Sequence, residues 1–245
     1  MSDEQIEELI TWVRRAPSSF YSGHWGRAKG LPNLPHVSRA DFIHAPLSQR
    51  RYKDERAFVK IVHNSGGPFL SEWSFEDIAR EPWGVKSKRP MVYMTDPHEA
   101  LEKSMWCYDR GMVPLIGEKD ADIASYAASR YQVDQLITDV AALERLRPYL
   151  DGRSEQLEAI TLVGAAFDRN SLTQYSPYAR TVRCVLALPE TGAIAEATLS
   201  EPIMRPLSNC VLENNNGELV VTKLAQLVTP IVKYRTGIPA DTVLI

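Results

Sequence analysis

Apolar residues recur at helical spacing at the start of the chain. Ile6, Leu9, Ile10 and Val13 share one face of residues 3–15, and Ser2 stands where a capping side chain belongs. A stretch rich in proline, glycine and aromatics follows, "FYSGHWGRAKGLPNLPHVSRADFIHAPL", residues 20–47. It predicts one helix at the tyrosine–tryptophan run and another from Ser38. Residues Phe58 to Val62 read as a strand entering a glycine turn. "SFEDIAR" begins with Ser74 and an acidic first turn, which predicts a short helix.

From residue 89 the two periodicities alternate. "RPMVYMT" is an apolar strand, and "DPHEALEKSMWCYDRG" a helix with Asp96 as cap, Pro97 in the first turn and Gly111 as stop. "MVPLIG" (strand), "DADIASYAASRYQ" (helix), "VDQLITD" (strand), "VAALERLRPYL" (helix) and "LEAITLVG" (strand) repeat the unit. "DRNSLTQYSPYA" is partly helical and "TVRCVLAL" is again a strand. Continuous apolar strands between helices indicate a mostly parallel sheet covered by helices. The end of the chain changes character. "SNCVLENNNGELVVTKL" holds two strand-like runs around Asn216-Gly217, a hairpin signal, and "TPIVKYRTG" reads as a further strand ended by Thr236-Gly237. The expected fold class is therefore α/β, with residues 1–200 as the core and 201–245 as a small antiparallel β unit packed on it.

A length of 245 residues accommodates one large domain or two small ones. The net charge of −3 gives no basic excess of the kind nucleic acid requires. No apolar run approaches the roughly 18 residues that cross a membrane. Three widely spaced cysteines, Cys107, Cys184 and Cys210, without a CxxC pair, point to a reducing, cytoplasmic setting and away from structural zinc.

Open parallel sheets bind ligands beyond the carboxyl ends of their strands. Three segments are expected there. His63-Asn64-Ser65-Gly66-Gly67 is either a tight turn or a cradle of backbone N–H groups for an anion, with His63 at its rim. Gly164-Ala165-Ala166 is either a site of close helix packing or a place where a flat ligand meets the backbone. Pro189-Glu190-Thr191-Gly192 is either a surface turn or the mouth of a strand whose carboxylate holds Mg2+, an ion that takes oxygen ligands.

In this order, followed by "GELVVTKLAQLVTPIVKYRTG", these segments resemble the adenylate-forming superfamily, most closely its phenylacetate–CoA ligase-like branch. "VHNSGG" lies where the family has its phosphate loop, "LVGAAF" where it has the adenine-contacting strand end, and "LALPETG" where it has an aromatic-Gly-x-Thr/Ser-Glu motif. The resemblance implies a site for ATP/AMP with Ser65, Gly66, Gly67, Gly164, Ala165, Ala166, Thr191, Tyr234 and Arg235 as contacts. It makes Glu190 the Mg2+ ligand and brings CoA as a further substrate; the catalytic residues stay unassigned, with Glu190 and, from its place at the rim, His63 as candidates.

The pattern is incomplete. Pro189 replaces the hydroxyl before the glutamate, the loop lacks the family's threonine pair and lysine, and Ile238 replaces an aspartate that holds ribose hydroxyls. Past Ile245 the family continues with a mobile domain carrying a catalytic lysine. Two readings follow: a compact ligase acting on a small carboxylic acid, aided by a separate C-terminal domain or carrier-protein partner, and a non-catalytic binding or partner subunit. A third, acyl-transfer or hydrolytic chemistry at His63, has neither a GxSxG elbow nor an assignable acid partner.

Overall fold

The computed structural model describes residues 3–16, 20–53, 56–64, 67–117, 119–164, 167, 170–225 and 227–243. Helices α1 (Asp3–Arg15), α2 (Phe20–Trp25), α3 (Arg39–His44) and α4 (Leu47–Arg50) come first. Strands β1 (Ala57–Asn64) and β2 (Gly67–Ser74) lead to α5 (Phe75–Ala79). Next come β3 (Pro90–Tyr93), α6 (Pro97–Asp109), β4 (Leu115–Ile116), α7 (Ala121–Tyr131), β5 (Gln135–Thr138) and α8 (Val140–Asp151). The chain continues with β6 (Leu157–Gly164), α9 (Ser171–Tyr175), β7 (Ala179–Leu188), β8 (Gly192–Thr198) and β9 (Arg205–Pro206). It ends in β10 (Cys210–Asn215), β11 (Glu218–Lys223) and β12 (Tyr234–Pro239). The fold is α/β, as the alternating pattern predicts.

These elements form two compact units. One comprises residues 1–77, 189–194 and 206–245; the other comprises 78–188 and 195–205. The closing β strands thus belong with the first 77 residues, whereas the sequence pattern places a boundary near residue 200.

The second unit carries most of a seven-stranded sheet ordered β4-β3-β5-β6-β7-β8-β9. The pairs β3/β4, β3/β5, β5/β6 and β6/β7 are parallel. Strands β3 and β5 are buried along their whole length, which explains why they read as unbroken apolar runs. Met91, Leu136, Ile160, Leu162 and Val182 of the sheet pack with Ala124, Ala128, Leu143, Leu146 and Leu150 of α7 and α8. Full burial of each large apolar side chain contributes about 1.5–3 kcal/mol. Asp96, Asp120 and Asp139 cap α6, α7 and α8, each accepting from a backbone N–H in the first turn. Gly117, just past β4, has no room for a side chain: a Cβ there would lie 2.1 Å from Tyr93 Cδ2. Cys107 and Cys184 are buried free thiols of this unit, and burial pushes both up to about 12.

The first unit is built differently. β1 and β2 form an antiparallel two-stranded sheet of their own, in register Ala57↔Ser74 to Asn64↔Gly67. This corrects the expectation that the His63–Gly67 segment follows a parallel strand. β10, β11 and β12 form an antiparallel sheet. Asn216 (φ 55) and Gly217 (φ 87) turn between β10 and β11 in the left-handed region, as a two-residue Asn-Gly hairpin requires.

The last strand starts later than its sequence suggests. Lys233 has φ 54, so Thr229–Lys233 is irregular and β12 begins at Tyr234. Gly237 (φ 73) stands inside the strand, near a register shift between Glu218 and Val220, rather than ending it. Lys233 is held in its conformation by an N–H bond to Thr222 Oγ1 (3.0 Å) and by Nζ contacts to Glu213 at 2.9 and 3.1 Å. The buried Tyr21 hydroxyl supports the same segment. It donates to Pro230 O (2.8 Å) and accepts from Val232 N (3.1 Å).

Candidate functional site

The Pro189–Thr191 connection follows the carboxyl end of β7, where a ligand-facing segment is expected. It belongs to the first unit and is anchored on β2. Pro189 O accepts from Ser71 Oγ (3.1 Å) and from Trp73 Nε1 (3.3 Å), and the same indole bonds Ser71 Oγ at 2.8 Å. Thr191 is fully buried, and its hydroxyl donates to Gly192 O at 3.1 Å.

Glu190 points into the interior of this unit, with its side chain 3% exposed. Its carboxylate accepts from the Arg39 guanidinium in a salt bridge, and its charge acts on the nearby Tyr234 hydroxyl. Burial, reinforced by the Glu190 charge, raises the Tyr234 phenol far above its ordinary value, so it remains protonated. Arg39 opens α3. Its position is fixed by a capping box: Ser38 Oγ accepts from Asp41 N, and the Asp41 carboxylate accepts from Ser38 N at 2.7 Å.

An aromatic column supports these polar groups. Phe42 stacks on Tyr234 with centroids 5.3 Å apart, and on Phe69 at 6.2 Å. The Arg39 guanidinium lies 5.3 Å from the Phe69 centroid, and that of Arg50 lies 5.0 Å from Phe69 and 5.5 Å from Phe42. Arg50 is itself buried and donates to Ala45 O (3.1 Å) and Leu70 O (3.0 Å). Two cations thus lie against one aromatic column, a favourable arrangement once desolvated.

The structure brings together Glu190 and Tyr234 of the expected residues, with Thr191 adjacent. Arg235 is directed elsewhere: its Nε and Nη2 both bond Glu218 Oε2, at 2.7 and 2.5 Å. Gly164 ends β6 in the second unit. Ser65, Gly66, Ala165, Ala166 and the His63 side chain lie outside the described residues; Gly67 opens β2. Ile238 is buried at 7% exposure, and its N–H bonds Thr236 Oγ1 at 3.0 Å.

Arg39 is the group that sequence reasoning missed. It stands 151 residues from Glu190, and only the capping pattern of "SRAD" marks its helix. With Arg39 on Glu190, the residues present do not fit Mg2+. Mg2+ takes one or two carboxylates and keeps several waters around it, whereas this carboxylate is buried and already paired with a cation. Among the described residues, no group of three His, Cys, Asp or Glu side chains could hold a metal.

No family model matches the chain, and no curated protein matches it. Solved structures do. A MenE variant from E. coli with bound OSB-AMS superposes with a TM-score of 0.54 at 13% identity, covering 74% of this chain and 42% of that one. The o-succinylbenzoate CoA synthetase MenE from Bacillus subtilis in complex with AMP gives 0.54 at 14%, covering 71% and 42%. The fold is that of the adenylate-forming ligases. The amide bond synthetase McbA from Marinactinospora thermotolerans shares it too, with a TM-score of 0.54 at 16% identity, over 69% of this chain and 40% of that one. The chain thus spans about two fifths of the length of these ligase-fold structures. Among the described residues, no helix is long and apolar enough to cross a membrane.

Proposed function

We propose that this chain is a ligase-fold protein that binds a small carboxylic acid and an adenine nucleotide, ATP or AMP, and that it serves as a binding or partner subunit more than as a self-sufficient ligase. The observation that carries the second half is the Arg39–Glu190 salt bridge. Activation of a carboxylate by ATP brings two anions together and depends on pre-organised positive charge where charge develops. Here the carboxylate that the family resemblance assigns to the metal is already neutralised by a side chain. Support for the first half comes from the shared fold. Neighbours with this fold were solved with AMP and with OSB-AMS bound. The phenylacetate–CoA ligase-like branch, a cytoplasmic setting, CoA as co-substrate and a separate catalytic-domain or carrier-protein partner belong to the same proposal.

Calorimetry with AMP, ATP and a panel of small aryl and alkyl acids, run beside ATP–pyrophosphate exchange, tests it. The expected outcome is saturable binding of nucleotide or acid with exchange at background. Robust exchange by the chain alone refutes the non-catalytic part and restores the compact-ligase reading. Absence of binding by every nucleotide and acid refutes the whole.

A further inference from the structure

Several oxygens beside Glu190 already have partners. Pro189 O accepts from Ser71 and Trp73, Thr191 Oγ1 donates to Gly192 O, and the Arg39 guanidinium engages the carboxylate itself, near the Tyr234 hydroxyl. The Glu190 side chain is 3% exposed, which leaves little space for the several waters that Mg2+ retains on binding. A guanidinium, by contrast, is a fixed planar fork of donors that matches a carboxylate and tolerates an aromatic face. Arg39 has both partners: Glu190 at its edge and Phe69 beneath it. Its backbone is held in place by the Ser38–Asp41 capping box.

We propose that Arg39 is the resident cation of this site, standing where a divalent metal would otherwise sit, so that Glu190 holds neither Mg2+ nor Mn2+ while Arg39 is present. The inference rests on the reading of Glu190 as the carboxylate that the ligase family gives to its metal. It does not rest on nucleotide binding. It makes ligand recognition here independent of divalent cations and assigns the positive charge of the site to the chain.

Mn2+ is the probe, because its paramagnetism broadens nearby nuclear resonances even when binding is weak. Amide spectra of the full chain are recorded during titration to millimolar Mn2+, without nucleotide. In the wild type, the Glu190, Thr191 and Tyr234 signals are expected to lose no more intensity than remote ones. In Arg39→Gln the same signals are expected to broaden selectively. Arg39→Lys, which retains a cation, is expected to behave like the wild type. Selective broadening in the wild type that Glu190→Gln abolishes overturns the proposal. So does a folded Arg39→Gln that stays unbroadened, or an Arg39→Lys that broadens as Arg39→Gln does. Should Arg39→Gln not fold, the wild type against Glu190→Gln decides alone. Every arm is free of nucleotide, so a negative calorimetric result for the proposed function leaves this outcome standing.

Discussion

Replacing Tyr21 by phenylalanine tests what holds the segment that delivers Tyr234 to Glu190. The ring is fully buried, so the substitution removes one oxygen and little else. That oxygen serves two backbone groups at once, accepting from Val232 N at 3.1 Å and donating to Pro230 O at 2.8 Å. Neither group belongs to a regular strand, since β12 begins only at Tyr234. Both Pro230 and Val232 are buried, so water does not readily replace the lost partner. A buried polar group left unsatisfied costs about 1–3 kcal/mol, so the two together should cost roughly 2–6 kcal/mol. Urea unfolding of wild type and Tyr21→Phe, followed by tryptophan fluorescence, reads the difference. Trp25 lies 4.8 Å from the Tyr21 ring and reports on this region directly. A loss below about 0.5 kcal/mol, the ordinary scatter of a neutral substitution, would refute the claim that the hydroxyl organises the segment.

Further predictions concern both units. Arg39→Met leaves the buried Glu190 carboxylate without its cation and should destabilise by about 3 kcal/mol or more, whereas adding Glu190→Gln should recover much of that loss in a double-mutant cycle. Gly117→Ala forces a methyl group against the buried Tyr93 ring and should lower stability by about 1–3 kcal/mol, seen as a drop in thermal midpoint. Asp77 supplies a pH dependence. Burial raises its carboxyl above the ordinary 3.8, so the folded state holds this proton more tightly than the unfolded chain does. Its contribution to stability is fully present below 3.8 and is lost as pH rises through the raised value. The stability of wild type relative to Asp77→Asn should therefore fall as pH rises through the carboxylate range, and urea midpoints across a pH series check it.

Local features were the legible ones. The apolar stripe of residues 3–15 became α1, Asp96 became the cap of α6, and Asn216-Gly217 became the hairpin turn, because each depends on neighbours a few positions away. The parallel order of β3, β5, β6 and β7 followed from their unbroken apolar runs. β2 was missed because "GPFLSEWS" has one face covered by residues distant in sequence, while Leu70 on the other face is 43% exposed. The start of β12 was misplaced because propensity favours Ile231 and Val232 in a strand. The left-handed Lys233 is imposed by Thr222 and Glu213, which the local sequence does not reveal. For the site, the resemblance selected Glu190 and Tyr234, which do meet. It placed Arg235 there too, although Glu218, seventeen positions away, holds that side chain. The cation on Glu190 comes from Arg39, and no local pattern links those two positions.

The three cysteines, none of them in a disulfide, give the protein an internal reporter of its own opening. Cys107 and Cys184 lie in the second unit and Cys210 in the first, all buried in the folded chain. A thiol held up to about 12 contributes almost no thiolate near neutral pH, and a thiolate is the species that reacts with alkylating reagents. Labelling of Cys107 or Cys184 therefore waits for the second unit to open, and labelling of Cys210 waits for exposure in the first. Mass spectrometry of the tagged peptides then times the unfolding of each unit separately, without any probe being introduced.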